Sequence, residues 1–218
     1  MIVLKSYISK GGSEVTLECE FEEKYTVTRA DAVRLGLYEL SEEDLPVEFA
    51  DDSQIEFLAQ KLKAIKYASY LLQFSDKSEK ILRQKMKEKE YSPEVIEEAL
   101  SVMRDGGIIS DENLCLKKYL SIANSKLYGP RRIRAELFAK GFSSEDIKNA
   151  EEKTDIDFDI LCNELCQKHL SSGRINLSDR KEREKFIAKI SRYGYGYETI
   201  SSVIQKFTSA SAGDDEEY

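Results

Sequence analysis

The sequence predicts a mainly α fold: three tandem three-helix repeats forming an elongated curved body, preceded by a small N-terminal β-containing module. The repeat is visible as a segment, 78–99, that returns 51 positions on as 129–150 and about 53 further on as 182–203. Leu82, Ile133 and Phe186 fall in register, as do Met86, Leu137 and Ile190; Tyr91, Phe142 and Tyr195; and Ile96, Ile147 and Ile200. Apolar character persists at these positions while the polar ones drift, which is what a repeated packing unit requires. The module is predicted by a different pattern, β-type alternation at 3–8 and 15–21 around Gly11 and Gly12.

Each element follows from local chemistry. The two alternating runs form a hairpin, 24–28 (KYTVT) a third short strand, and 29–35 a short helix that Gly36 ends in a left-handed conformation. The acidic stretch 41–53, with Pro46, is either a linker or the lead into a helix. From 54 to 74, Ile55, Leu58, Leu62, Ile65, Ala68, Leu71 and Leu72 recur at spacings of three and four, the signature of an amphipathic helix. A second helix runs to about 89. Ser92 caps a third, with Pro93 at its first position, and Gly106 and Gly107 end it.

The middle unit repeats this syntax. Asp111 opens a helix with Leu114, Tyr119 and Ile122 facing inward; Gly129 and Pro130 start the next, and Gly141 terminates it. Ser143 and Asp146 have the spacing of a capping box at the third. The last unit runs from about 157 to 207 across a polar connection at 171–179. The expected divisions are therefore a β-rich acidic module at 1–50, repeats at 54–107, 110–154 and 156–208, and a disordered acidic tail at 209–218. Repeats of this kind cover one another's apolar faces and bind along a surface.

Composition narrows the function. The chain has 218 residues, 41% of them hydrophobic, enough to build real cores. It carries no apolar run of the roughly 20 residues that a membrane span requires, and its first ten residues are no signal peptide, so a soluble cytoplasmic protein is expected. The net charge of -8 is uneven: 1–60 holds 5 Lys/Arg against 14 Asp/Glu, whereas the helical remainder up to 212 is net basic. Between 117 and 140 lie Lys117, Lys118, Lys126, Arg131, Arg132, Arg134 and Lys140 against Glu136 alone. Such a stripe attracts polyanions or an acidic protein surface, and these seven residues are the candidate contacts for a partner or for DNA phosphates. Arg131 and Arg134 are expected side by side, and Arg132 can pair with Glu136 across a turn.

Catalytic patterns are missing. No phosphate loop occurs, and the lone His169 has no nucleophile elbow beside it. Cys162, Cys166 and His169 share a helix face at spacings that suit metal ligands, but a fourth ligand is not visible, and that face reads as packing. The expectation is a non-enzyme with no metal and no cofactor.

The run Gly129-Pro130-Arg131-Arg132-Ile133-Arg134-Ala135-Glu136-Leu137, followed by Lys140-Gly141-Phe142 and an acidic helix, resembles the signature of the RecX family. Tyr67-Ala68-Ser69-Tyr70, Tyr91-Ser92-Pro93-Glu94 and Gly106-Gly107-Ile108-Ile109 resemble that family's opening repeat, and Ser191-Arg192-Tyr193-Gly194-Tyr195 its closing one. The chain departs from the pattern at Leu114 and Cys115, where many relatives have a Phe-Ala pair, and at Ile81, where an acidic residue is common. The resemblance covers most of the chain. It implies a regulator that binds the RecA recombinase filament on DNA, in its helical groove, and inhibits its ATPase, strand-exchange and coprotease activities, in DNA repair, recombination and the SOS response. A monomer is expected, with weak direct DNA contact at most. The alternatives are a direct DNA-binding repeat protein and a helical scaffold for another partner.

Overall fold

The computed structural model describes residues 1–49, 52–171 and 175–213. Strands β1 (Ile2–Ile8), β2 (Glu14–Cys19) and β3 (Lys24–Thr28) and helix α1 (Arg29–Arg34) occupy the places the alternation and Gly36 indicate. Gly36 takes the left-handed conformation, with φ +69°. A fourth strand, β4 (Val47–Glu48), lies inside the acidic stretch and pairs with Ile2 and Val3. The antiparallel order is β3-β2-β1-β4. Two residues beside Pro46 carry no alternation to read, so β4 has no signal in the sequence.

Packing groups the chain into two compact units, Met1–Ile109 and Ser110–Tyr218. In the first, helix α2 (Asp52–Phe74) serves two cores. Its first half lays Ile55, Leu58 and Ala59 against Val15, Leu17, Cys19 and Val27 of the sheet. Its second half lays Ala64 and Ala68 against α3 (Glu79–Glu88) and α4 (Pro93–Asp105), where Leu82, Met86, Ile96 and Leu100 are fully buried. The segments 1–50 and 54–107 thus share one helix and one unit. Ser92 caps α4, accepting from the Val95 N–H, with Pro93 in the first turn.

One polar contact sits at the join. Lys61 of α2 and Asp31 of α1 are 4% and 5% exposed, and the Lys61 ammonium donates to the Asp31 carboxylate at 3.0 Å. Thr28 and Arg34 also donate to Asp31, so the buried carboxylate has three partners. Burial of an ion pair is tolerable only with that degree of satisfaction.

The second unit contains α5 (Asp111–Lys126), α6 (Pro130–Ala139), α7 (Ser144–Lys153), α8 (Phe158–Leu170), α9 (Arg180–Ser191) and α10 (Tyr197–Gly213). Ser143 and Asp146 form the capping box at α7. One core gathers Tyr119, Ile133, Leu137, Phe142 and Ile147; another gathers Cys162, Cys166, Phe186, Ile190, Tyr195 and Ile200. Of the twelve register positions, only Tyr91 is less than fully buried. Cys162 and Cys166 are sealed in the second core, where their mutual hydrogen bond and burial push the Cys166 thiol far up. Burial pushes the Cys115 thiol up to about 12. Helix α10 continues to Gly213, past residue 209 where a disordered tail was expected, in keeping with the helix propensity of Ala210 and Ala212. The remainder of that tail, 214–218, lies outside the described residues.

Removing one partner of the Asp31–Lys61 pair should strand a charge inside the first unit. Asp31→Ala is expected to cost about 3–5 kcal/mol in urea unfolding. Asp31→Ala with Lys61→Met should recover most of that loss, and a single variant as stable as the parent would show the pair to be energetically idle.

Candidate interaction surface on the middle repeat

Helix α6 begins without a side-chain cap, because Gly129 has none to offer. Its first amides are satisfied from elsewhere: the Gly129 N–H donates to the Tyr193 carbonyl at 2.8 Å and the Arg131 N–H to the Gly194 carbonyl at 3.3 Å. The turn between α9 and α10 therefore caps α6 with backbone oxygens. The two segments touch without side chains between them. A Cβ on Gly129 would lie 2.6 Å from the Gly194 carbonyl carbon, and one on Gly194 would lie 2.5 Å from the Arg132 Cβ. Gly194 also has φ +98°, a conformation that L side chains rarely adopt. The buried Tyr195 hydroxyl completes the joint by donating to the Leu127 carbonyl at 3.0 Å. These glycines are a contact between the second and third repeats, and not only punctuation between helices.

Around this joint the seven candidate cations separate into groups. Lys126 and Arg132 converge on Tyr128, 5.4 and 5.1 Å from its ring centre, and Tyr128 meets Tyr193 edge-on at 6.0 Å. Each such contact contributes about 0.5–1 kcal/mol at an exposed site. His169 also meets Tyr193 edge-on, at 5.6 Å. Glu136 pairs with Lys126 at 2.6 Å. This corrects the expected Arg132–Glu136 pair: Arg132 is drawn instead to the Tyr128 face and toward the Arg192 carbonyl, at 3.5 Å.

Arg134 departs from expectation too. It does not stand beside Arg131 as an open guanidinium; its Nε and NH2 form a fork on Glu151 of α7, at 2.7–2.9 Å. The hydrogen bond to Glu151 raises its pKa further. The first repeat shows why. Arg83, the register counterpart of Arg134, makes the same fork on Glu97 of α4, at 2.6 and 2.9 Å. An arginine here clamps the second helix of a repeat to the third. Beneath the pair, burial and then Glu151 push the Tyr119 phenol up to about 12. The Tyr119 hydroxyl closes no hydrogen bond of ordinary geometry among the described residues.

Arg131, Lys117 and Lys118 remain uncommitted, entering no ion pair among the described residues; Arg131 and Lys117 are exposed and Lys118 is half-buried. Lys118 lies about 12 Å along α5 from Lys126, and Lys140 lies about 13 Å along the α6 axis from Arg131. The stripe is thus a set of separate positions. Sequence reasoning missed Tyr128, Tyr193, Gly194 and Glu151. The Arg83–Arg134 register marks the arginine of the clamp but not its partner, since Lys148 stands at the position of Glu97, and no local signal links Gly129 to Gly194. Among the described residues no three His, Cys, Asp or Glu side chains gather as a metal site, and no helix is long and apolar enough to cross a membrane.

The family model described as RecX, first three-helix domain, matches residues 64–101. A relative from Actinobacillus pleuropneumoniae serotype 5b (strain L20), named regulatory protein RecX, is 37% identical over 105 residues, covering 48% of this chain and 69% of the relative. Another of that name, from Clostridioides difficile (strain 630), is 26% identical over 172 residues, covering 77% of this chain and 76% of the relative. A crystal structure of regulatory protein RecX superposes with a TM-score of 0.72 at 20% identity, covering 92% of this chain and 97% of that one. That of RecX from Lactobacillus salivarius gives 0.60 at 21% identity over 67% of this chain and 96% of that one.

The joint predicts an asymmetry between neighbouring glycines. Gly194→Ala forces a backbone collision and a strained φ together, so thermal and urea unfolding should show a loss of about 3 kcal/mol or more. Gly196→Ala meets no atom within 4 Å and should cost no more than about 1 kcal/mol, from replacing the glycine that precedes α10. Equal effects at the two positions would refute the joint.

Proposed function

The chain belongs to the RecX family, and on that premise we propose that it is a non-enzymatic regulator that binds the RecA recombinase filament on DNA and inhibits its ATPase, strand-exchange and coprotease activities. It acts as a cytoplasmic monomer. The observation that carries this reading is the uncommitted charge of the middle repeat, Arg131 with Lys117 and Lys118, on helices whose other cations are held internally. Cations already in place and not neutralised by neighbours can meet an acidic protein surface without first breaking an intramolecular pair. Lys126, Arg132, Arg134 and Lys140 contribute through the field they add and through the positions they hold.

A second reading rests on a separate observation. The Tyr128 and Tyr193 rings, flanked by Lys126 and Arg132, combine stacking faces with positive charge, which is the chemistry of single-strand binding. Direct DNA binding would show a steep fall of log affinity with log salt in the absence of recombinase. Regulation through the filament alone would not.

Charge reversal separates open cations from clamps. Lys117→Glu, Lys118→Glu and Arg131→Glu combined should raise the concentration for half-inhibition of a recombinase filament ATPase at least tenfold, with the circular dichroism unchanged. Arg134→Glu is no substitute, since it sets two carboxylates against each other and should lower stability. Undiminished inhibition by the folded triple variant would remove these three residues from the contact.

A further inference from the structure

Phe138 is 59% exposed on α6, although every register position of the repeat core is already filled. Its counterparts are Lys87 in the first repeat and Ser191 in the third, so a polar residue serves the fold there and packing does not require the ring. Phe138 lies in a groove of about 860 Å³ between α6 and α7, with Ala135 and Ile147 beside it. The walls are Arg134, Glu151 and Lys148. A groove of that size holds one or two bulky side chains. An aromatic residue within an apolar groove, bordered by charge, is the composition of a binding hot spot.

The charge around the groove selects the occupant. Glu151 takes the Nε and NH2 of Arg134, and no hydrogen bond reaches its NH1 among the described residues. Arg131, one turn earlier on α6, is exposed and enters no ion pair among the described residues. Donors therefore stand open on the α6 side. The α7 side carries Glu151, held by Arg134, and Glu152, 3.6 Å from the exposed Lys148, so its charges balance and the unbalanced donors are those of α6.

We propose that the α6–α7 groove of the middle repeat receives a bulky apolar side chain from an acidic segment of a partner protein, with the segment's carboxylates lying over Arg131 and the free edge of Arg134. This deepens the regulatory reading and rests on it for the identity of the partner, but the groove can be tested without the filament. Phe138 supplies the apolar contact and the two arginines set the orientation.

Amide shifts of the isotopically labelled chain on titration with acetyl-DELFED-amide test the groove directly. The peptide should shift Ala135, Phe138, Ile147 and Lys148. Acetyl-DESSED-amide should not, and Phe138→Ser, which installs the third repeat's residue, should weaken the response at least fivefold at unchanged helicity. In co-sedimentation with recombinase filaments the same variant should lose at least tenfold in affinity. Wild-type protein that shows the peptide shifts but ignores the filament would support the groove and reject the regulatory reading. Shifts that map elsewhere, equal binding of acetyl-KKLFKK-amide, or a Phe138→Ser variant that binds filaments like the parent would each overturn the proposal. So would an oligothymidylate that shifts these amides where the acidic peptide does not, since the groove would then be a base-stacking surface.

Discussion

Each repeat depends on one left-handed residue. Glu90, Gly141 and Gly194, with φ of 61°, 91° and 98°, reverse the chain between the second and third helices of their repeats. In every case the next residue is aromatic: Tyr91, Phe142 or Tyr195. Reversal at that point drops the ring among the three helices, fully buried in the last two copies and half-buried in the first. A non-glycine residue in this conformation costs roughly 1–2 kcal/mol, which Glu90 carries with its side chain exposed. Gly194 has no such freedom. Its turn also caps α6 through two carbonyls, so one conformational constraint closes the third repeat and joins it to the second.

What the sequence discloses and what it conceals divide along chain distance. The register positions of the core are legible because apolar identity at spacings of three and four is a local property, repeated three times. Helix starts are legible for the same reason: Ser92 and Ser143 act on amides three residues away. β4 is hidden because two residues hold no period. The use of α2 by two cores is hidden because one amphipathic stripe looks alike whether it faces a sheet or two helices. Arg134 and Glu151 are 17 positions apart and Gly129 and Gly194 are 65 apart, and nothing nearby in the chain marks either partnership.

The same distinction governs the candidate site. Charge count alone treats Arg131, Arg132 and Arg134 as equals, since each adds one cation to a short helix. Geometry gives them three different tasks. Arg134 repeats the role of Arg83, a fork between helices that the first repeat also uses. Partly exposed, such a pair contributes no more than about 1 kcal/mol, so it orients α6 against α7 more than it holds the fold together. Arg132 is tied to the joint between repeats through Tyr128. Arg131 alone of the three faces solvent uncommitted.

Comparison of the repeats with one another then distinguishes packing from binding. A position that stays apolar in all three copies and is buried in all three is explained by the core. Phe138 meets neither condition, because lysine and serine replace it and it is 59% exposed. At position 151 the middle repeat has a glutamate where the flanking repeats bury Leu100 and Ile204. The middle copy has therefore placed the carboxylate of its fork where its neighbours bury an aliphatic residue, and has gained an exposed aromatic residue close by. Neither change improves burial, and a charge in place of a buried aliphatic residue gives up apolar contact area. Both changes border the same groove, where exposed apolar surface with an oriented arginine favours a partner more than it favours the isolated fold.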